Sequence, residues 1–175
     1  MYPIFRMAKE WIKFRNAPAL QPFDTHVSTH ICWPWDIDLW MELNNGRTLT
    51  LFDLGRLIML KRTGILTAMA TKRWGGTVAG ASIRYRKRVR VFDKLELRTR
   101  NIGWDERFAY AEQSLWKDGT CCSHGLMRIA ITDRNGMVPA PQLAEAMGTS
   151  TSPELPAWVK AWAEADALRP WPPQQ

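Results

Sequence analysis

Residues 36–56 read DIDLWMELNNGRTLTLFDLGR and join two kinds of sequence. Up to Asn44 the chain is a loop of mixed polar and aromatic residues. From Arg47 to Arg62 it carries Leu49, Leu51, Phe52, Leu54, Leu57, Ile58, Met59 and Leu60, which on a helix fall on nearly every side. A helix apolar all round has no solvent face and is predicted to be buried. Asn44 or Asn45 can cap its start, because a side-chain oxygen there accepts from the free N–H groups of the first turn. Gly64 can end it, since glycine takes the left-handed conformation that closes helices.

Working outward, the period changes from helical to alternating. Thr25–Trp33 has a β-like pattern and stops at Pro34. Thr77–Val91 reads as one long strand. Leu95, Leu97 and Thr99 alternate with Glu96, Arg98 and Arg100 in the next, over Leu95–Gly103. Arg107–Trp116 and Thr120–Thr132 are two more, joined by Lys117-Asp118-Gly119, where Asp-Gly favours a tight hairpin. Asp133–Gly136 breaks the sheet. The segment from Pro139 holds two short helical pieces and ends in RPWPPQQ, expected to be disordered or laid on a neighbour.

A strand, a buried helix and four antiparallel strands leave one way to cover the helix: a sheet that wraps it. The expected fold is therefore α+β, the hot-dog layout of an antiparallel sheet around a central apolar helix. Its parts are residues 1–24 (amphipathic helix and loop), 25–138 (the hot-dog domain) and 139–175 (helical extension and tail). One copy alone leaves part of the helix and a sheet edge uncovered, so a homodimer or homotetramer is expected.

Composition narrows the partners. The 175 residues suit one domain, and a net charge of +7 points to anionic partners. The ten Trp include Trp11, Trp33, Trp35, Trp40, Trp158, Trp162 and Trp171. They suit interfaces and pocket mouths, or a Trp-rich core. Cys32, Cys121 and Cys122 with His26, His30 and His124 show no zinc spacing, so no metal and no cofactor are expected. A reduced interior suggests a cytoplasmic protein.

The stretch MYPIFRMAKEWIKFRNA is too short in apolar run for a signal peptide or membrane span. It reads as a basic amphipathic helix, with Ile4, Phe5, Ala8, Trp11 and Ile12 near one face and Arg6, Lys9, Lys13 and Arg15 around it. Such a helix lies on a membrane surface or packs on its own domain or a subunit. No recognition helix or aromatic RNA-binding motif appears, so nucleic acid is not an expected partner.

The opening stretch also resembles the signature of the 4-hydroxybenzoyl-CoA-thioesterase family: an Asp, then Gly-His-x-Asn-Asn or a variant, then an aromatic-rich helix with an acidic residue and an Arg. Asp38 falls at the family's catalytic Asp. Asn44 and Asn45 fall on the Asn pair, and Asp53 and Arg56 on the helix positions. The likeness extends through Tyr85–Arg100 and covers roughly Thr25 to Asn135. It implies a hot-dog acyl-CoA thioesterase. Glu42 stands where the family has His, exchanging a donor and acceptor for an acceptor-only charge. Glu42 can supply a second carboxylate, or mark chemistry that has been lost.

Thioester hydrolysis needs an activated nucleophile, a site for the oxyanion and a grip on CoA. Asp38 can attack the thioester or deprotonate water. The N–H groups near Asn45 and Gly46, at the positive end of the helix, suit the oxyanion, and Gly46 permits close approach. Asp53, inside an apolar helix, either pairs with Arg56 or lines a partner's active site. In an extended strand Arg84, Arg86, Arg88 and Arg90 share one face. They meet CoA phosphates, or form a solvated sheet face paired with Glu96 and Glu112. Asn44, Arg56, Arg86, Lys87 and Arg88 are the expected CoA contacts. Cys122 and His124 read as ordinary strand residues.

Overall fold

A computed structural model describes residues 3–149 and 151–173. Met1, Tyr2 and the last two residues of the tail lie outside the described residues. The elements run α1 (Ile4–Lys13), β1 (His26–Ile31), α2 (Asn45–Arg62), α3 (Ile65–Lys72), β2 (Gly75–Tyr85), β3 (Lys94–Trp104), β4 (Phe108–Lys117), β5 (Thr120–Asp133), β6 (Gly136–Val138), α4 (Ala140–Ala146) and α5 (Ala157–Ala167). The strands pair antiparallel in the order β1-β3-β4-β5-β2, with β6 folded back on β5. The sheet curls around α2 in the hot-dog arrangement.

α2 is buried for the reason its sequence gives. Leu51, Phe52, Leu54, Ile58 and Met59 are fully covered, and the first three share a core with Leu95, Leu97, Ala111, Leu115 and Met127 on the inner sheet face. Helix and sheet come so close at Gly55 that an added Cβ would lie 2.5 Å from Leu97 Cδ2. Gly64, at φ 79, ends α2 as expected, and the chain at once starts α3. The Asp118-Gly119 turn has positive φ at both residues (47 and 75), the geometry that matches strand twist. On the outer face α5 buries Val159 against Ile102, Tyr110 and Leu126. Its Asp166 pairs with Arg128.

A polar layer lies under α1. His26, Ser28 and His30 occupy the inward side of β1 and are buried, as is Glu10 of α1. His30 Nε2 and Ser28 Oγ are 2.9 Å apart. Arg62 reaches His26 Nδ1 at 3.0 Å, and since guanidinium only donates, the neutral ring carries its proton on Nε2. Burial, reinforced by Arg62, Lys13, Lys9 and Arg6, depresses His26 to about 4 and His30 to about 3, against an ordinary 6.5. Burial raises the Glu10 carboxyl.

The sign for stability follows. Below 6.5 the unfolded chain takes up protons that the folded histidines refuse. Each histidine therefore costs of order 1 kcal/mol of stability per pH unit as pH falls from 6.5 toward its folded value. Glu10 acts the opposite way, binding its proton more readily when folded. The two histidines together outweigh it, so the thermal midpoint is expected to fall steadily between about pH 6.5 and pH 4. His30→Gln, which keeps a partner for Ser28, should flatten that slope. An unchanged slope would show that the histidines do not set it.

Candidate active site

The loop before α2 is a small hairpin. Ile37 and Leu43 bridge antiparallel, and the Asp38 N–H donates to the Glu42 carbonyl at 2.9 Å. Asp38 Oδ1 accepts from the N–H groups of Trp40 (2.9 Å) and Glu42 (3.4 Å). The backbone bond sets Asp38 opposite Glu42 across the hairpin, with the Asp38 carboxylate folded over the turn. Asp36, two residues earlier, ties this loop to α1. It is buried, accepts from the Trp33 N–H at 2.9 Å and pairs with Arg6 of α1.

Asn44 is the cap of α2. Its Oδ1 accepts from Gly46 N–H at 2.8 Å and Arg47 N–H at 3.3 Å. This corrects the expectation that Gly46 donates to an oxyanion, because that N–H is already engaged. The N–H of Asn45, the first helical residue, has no hydrogen-bond partner among the described residues. It points out of the helix at the positive end of the dipole.

A polar cavity of about 250 Å³ opens beside it, lined by Glu42, Asn45, Thr48, Tyr85, Arg86, Lys87, Arg88, Cys122 and Ser123. Arg88 Nε lies 3.2 Å from Glu42 Oε2, so the charge introduced at the family's His position has a counterion. Tyr85, Thr48 and Ser123 went unrecognised as site residues. The Ser123 hydroxyl is buried and has no hydrogen-bond partner among the described residues, which only the fold reveals. Burial raises the Cys122 thiol, so it is no thiolate nucleophile at neutral pH. Asp38 does not itself line this cavity; its neighbour across the hairpin does.

The arginine stripe is not present as expected. β2 ends at Tyr85, because the N–H groups of Arg86 and Lys87 both donate to the Cys122 carbonyl, at 2.8 and 3.1 Å. The chain then crosses the hairpin, where the Leu43 N–H donates to the Val89 carbonyl at 2.8 Å. Arg86, Lys87 and Arg88 are thereby brought to the cavity, while Arg84 stays on the strand. Glu96 and Glu112 pair instead with Arg98 and Arg100. His124 is more than an ordinary strand residue, since its Nε2–H donates to Glu112 Oε1 at 2.7 Å. That bond, with Arg100, holds Glu112 down at about 2.

Further along α2, Asn45, Leu49, Asp53, Arg56 and Leu60 recur every three or four residues and form its less buried side. Asp53 and Arg56 lie at the border of a second cavity, of about 220 Å³, whose apolar lining includes Leu57, Leu60, Ile65, Met69 and Leu143. Arg56 pairs with Asp53 at 2.6 Å and donates to Gln113 Oε1 at 2.9 Å. Gln113 in turn donates to the Phe52 carbonyl (2.7 Å) and to Thr99 Oγ1 (2.9 Å). Asp53 thus makes the expected pair and faces a cavity as well.

Comparison with known proteins agrees with this architecture. The family model described as thioesterase-like superfamily matches residues 32–163. Protein THEM6 of Drosophila melanogaster is 28% identical over 148 residues, spanning 83% of this chain and 75% of that protein. Protein THEM6 of Xenopus laevis is 32% identical over 120 residues, spanning 63% of this chain and 58% of that protein. The match thus covers three-quarters of the fly protein and less than two thirds of the frog one. Among solved structures, the probable thioesterase YbaW of Escherichia coli has TM-score 0.65 at 16% identity, over 71% of this chain and 97% of its own. A 1,4-dihydroxy-2-naphthoyl-CoA thioesterase of Synechocystis has TM-score 0.60 at 10% identity, over 71% and 95%. At these identities the structural matches establish the fold, and the family match, over most of the chain, establishes kinship. The chain belongs to the thioesterase-like superfamily, with the hot-dog fold.

Proposed function

We propose that this protein hydrolyses an acyl-CoA, or a related acyl thioester, to the free acid and the thiol. The observation that carries this reading is the open Asn45 N–H at the start of α2. It lines one cavity with Glu42 and the basic group Arg86, Lys87 and Arg88, and Asp38 lies across the hairpin from Glu42. In this reading Asp38 takes a proton from water, whose oxygen attacks the thioester carbon. The oxyanion gains the Asn45 N–H, and the C–S bond breaks as the tetrahedral intermediate collapses, the departing thiolate taking up the proton that Asp38 holds. Glu42 and Asn44 shape the loop and cap, and Arg86, Lys87 and Arg88 meet CoA phosphates. Asp53 and Arg56 border the apolar cavity that takes the acyl group. The β2 edge, uncovered in one protomer, pairs with its copy in a homodimer.

The test is release of free thiol from short-chain, long-chain and aromatic acyl-CoAs, followed with a thiol reagent. Turnover of at least one supports the proposal, and no release from any of them overturns it. The Glu42–Arg88 pair favours one second reading, a non-catalytic acyl-CoA binder. It predicts thermal stabilisation by acyl-CoA without turnover.

A further inference from the structure

The first helix is packed inside out. Its apolar residues point to solvent: Phe5 is 92% exposed, Ile4 68%, Ile12 64% and Trp11 40%. Its charged side faces the domain, with Glu10 1% exposed and Arg6 tied to the buried Asp36. Met7 is the residue of α1 that packs on the main core. A helix that docks by its polar side holds its apolar side in water at a cost, unless something covers it. Exposed Lys9, Lys13 and Arg15 border that apolar side. The loop held by the Arg6–Asp36 pair adds Trp35, 64% exposed and stacked on Trp33.

We propose that this face of α1 seats the protein on an anionic lipid surface, with the apolar side chains entering the headgroup boundary and the lysines meeting lipid phosphates. Two observations select lipid over a second copy. α1 lies by β1, at the end of the strand order opposite the open β2 edge, so pairing through β2 leaves it uncovered. A symmetric contact through α1 would also bring together two copies of a face bordered by Lys9, Lys13 and Arg15, which like charge opposes. Aromatic and aliphatic residues flanked by lysines are the composition of an interfacial helix. No helix among the described residues is long and apolar enough to cross a membrane, so the contact is with the surface.

The test is co-sedimentation of the full chain with vesicles of phosphatidylcholine plus phosphatidylglycerol, against phosphatidylcholine alone. Binding is expected to the anionic vesicles and to weaken with salt. Phe5→Glu with Ile12→Glu, both at exposed positions, should lower partitioning by at least about tenfold and leave the thermal midpoint unchanged. Lys9→Glu should lower it about fivefold or more. Wild-type protein that stays in the supernatant overturns the proposal, as does undiminished binding of the double variant. A double variant whose mass in light scattering falls to that of a smaller assembly also overturns it, since the face would then be a subunit contact.

Discussion

Asp38→Asn is expected to lower kcat for acyl-CoA hydrolysis by about 10²–10⁴-fold, the usual contribution of a positioned base. Its strength as a test comes from what the change preserves. Asp38 Oδ1 accepts from two backbone N–H groups, and an amide oxygen can accept from both. The hairpin should therefore keep its shape, and the variant should keep its thermal midpoint and its affinity for CoA. What it loses is the negative charge that takes the proton from water. The same substitution at Asp53 is expected to act more on KM than on kcat, because that carboxylate is the partner of Arg56 at the border of the apolar cavity. Activity of Asp38→Asn within about threefold of wild type would reduce Asp38 to a turn acid, given that range for a base. A kcat loss confined to Asp53→Asn would move the chemistry onto the helix.

The parts of this site legible in the sequence are those fixed by local forces. The all-round apolar character of α2, the Asn44 cap, the Gly64 stop and the Asp118-Gly119 turn depend on residues a few positions apart. Each appears where the sequence placed it. The misread parts were decided at longer range. Thr77–Val91 is extended in propensity throughout, yet the Cys122 carbonyl captures two successive N–H groups and ends β2 at Tyr85. Gly46 was a reasonable oxyanion donor until the preceding side chain engaged its N–H. α1 is amphipathic as read, but amphipathicity does not say which side docks. That was settled by Asp36, thirty positions on, whose buried charge needs Arg6.

Gln113→Leu is expected to destabilise the fold by about 2–4 kcal/mol, because it removes one amide that serves three buried groups. Gln113 is fully buried on β4 and joins α2 to β3 through Phe52, Arg56 and Thr99. Leucine fills a similar volume, so the cost comes from lost hydrogen bonds rather than from a cavity. The Phe52 carbonyl, which keeps its helical N–H, and the Thr99 hydroxyl each lose a donor, and Arg56 loses a buried acceptor. The thermal midpoint should fall by roughly 5–15 °C for a domain of this size. Gln113→Glu separates the two sides of the network. It restores an acceptor to Arg56 but offers Phe52 and Thr99 no N–H, so its stability should lie between wild type and the leucine variant. If Gln113→Leu costs less than about 0.5 kcal/mol, the scale of an ordinary surface substitution, the network does not fix α2 on the sheet. Arg56 and Asp53 would then need another anchor. If the predicted loss is found, the helix that presents Asn45 to the substrate is held in place by a glutamine more than sixty positions away in the chain.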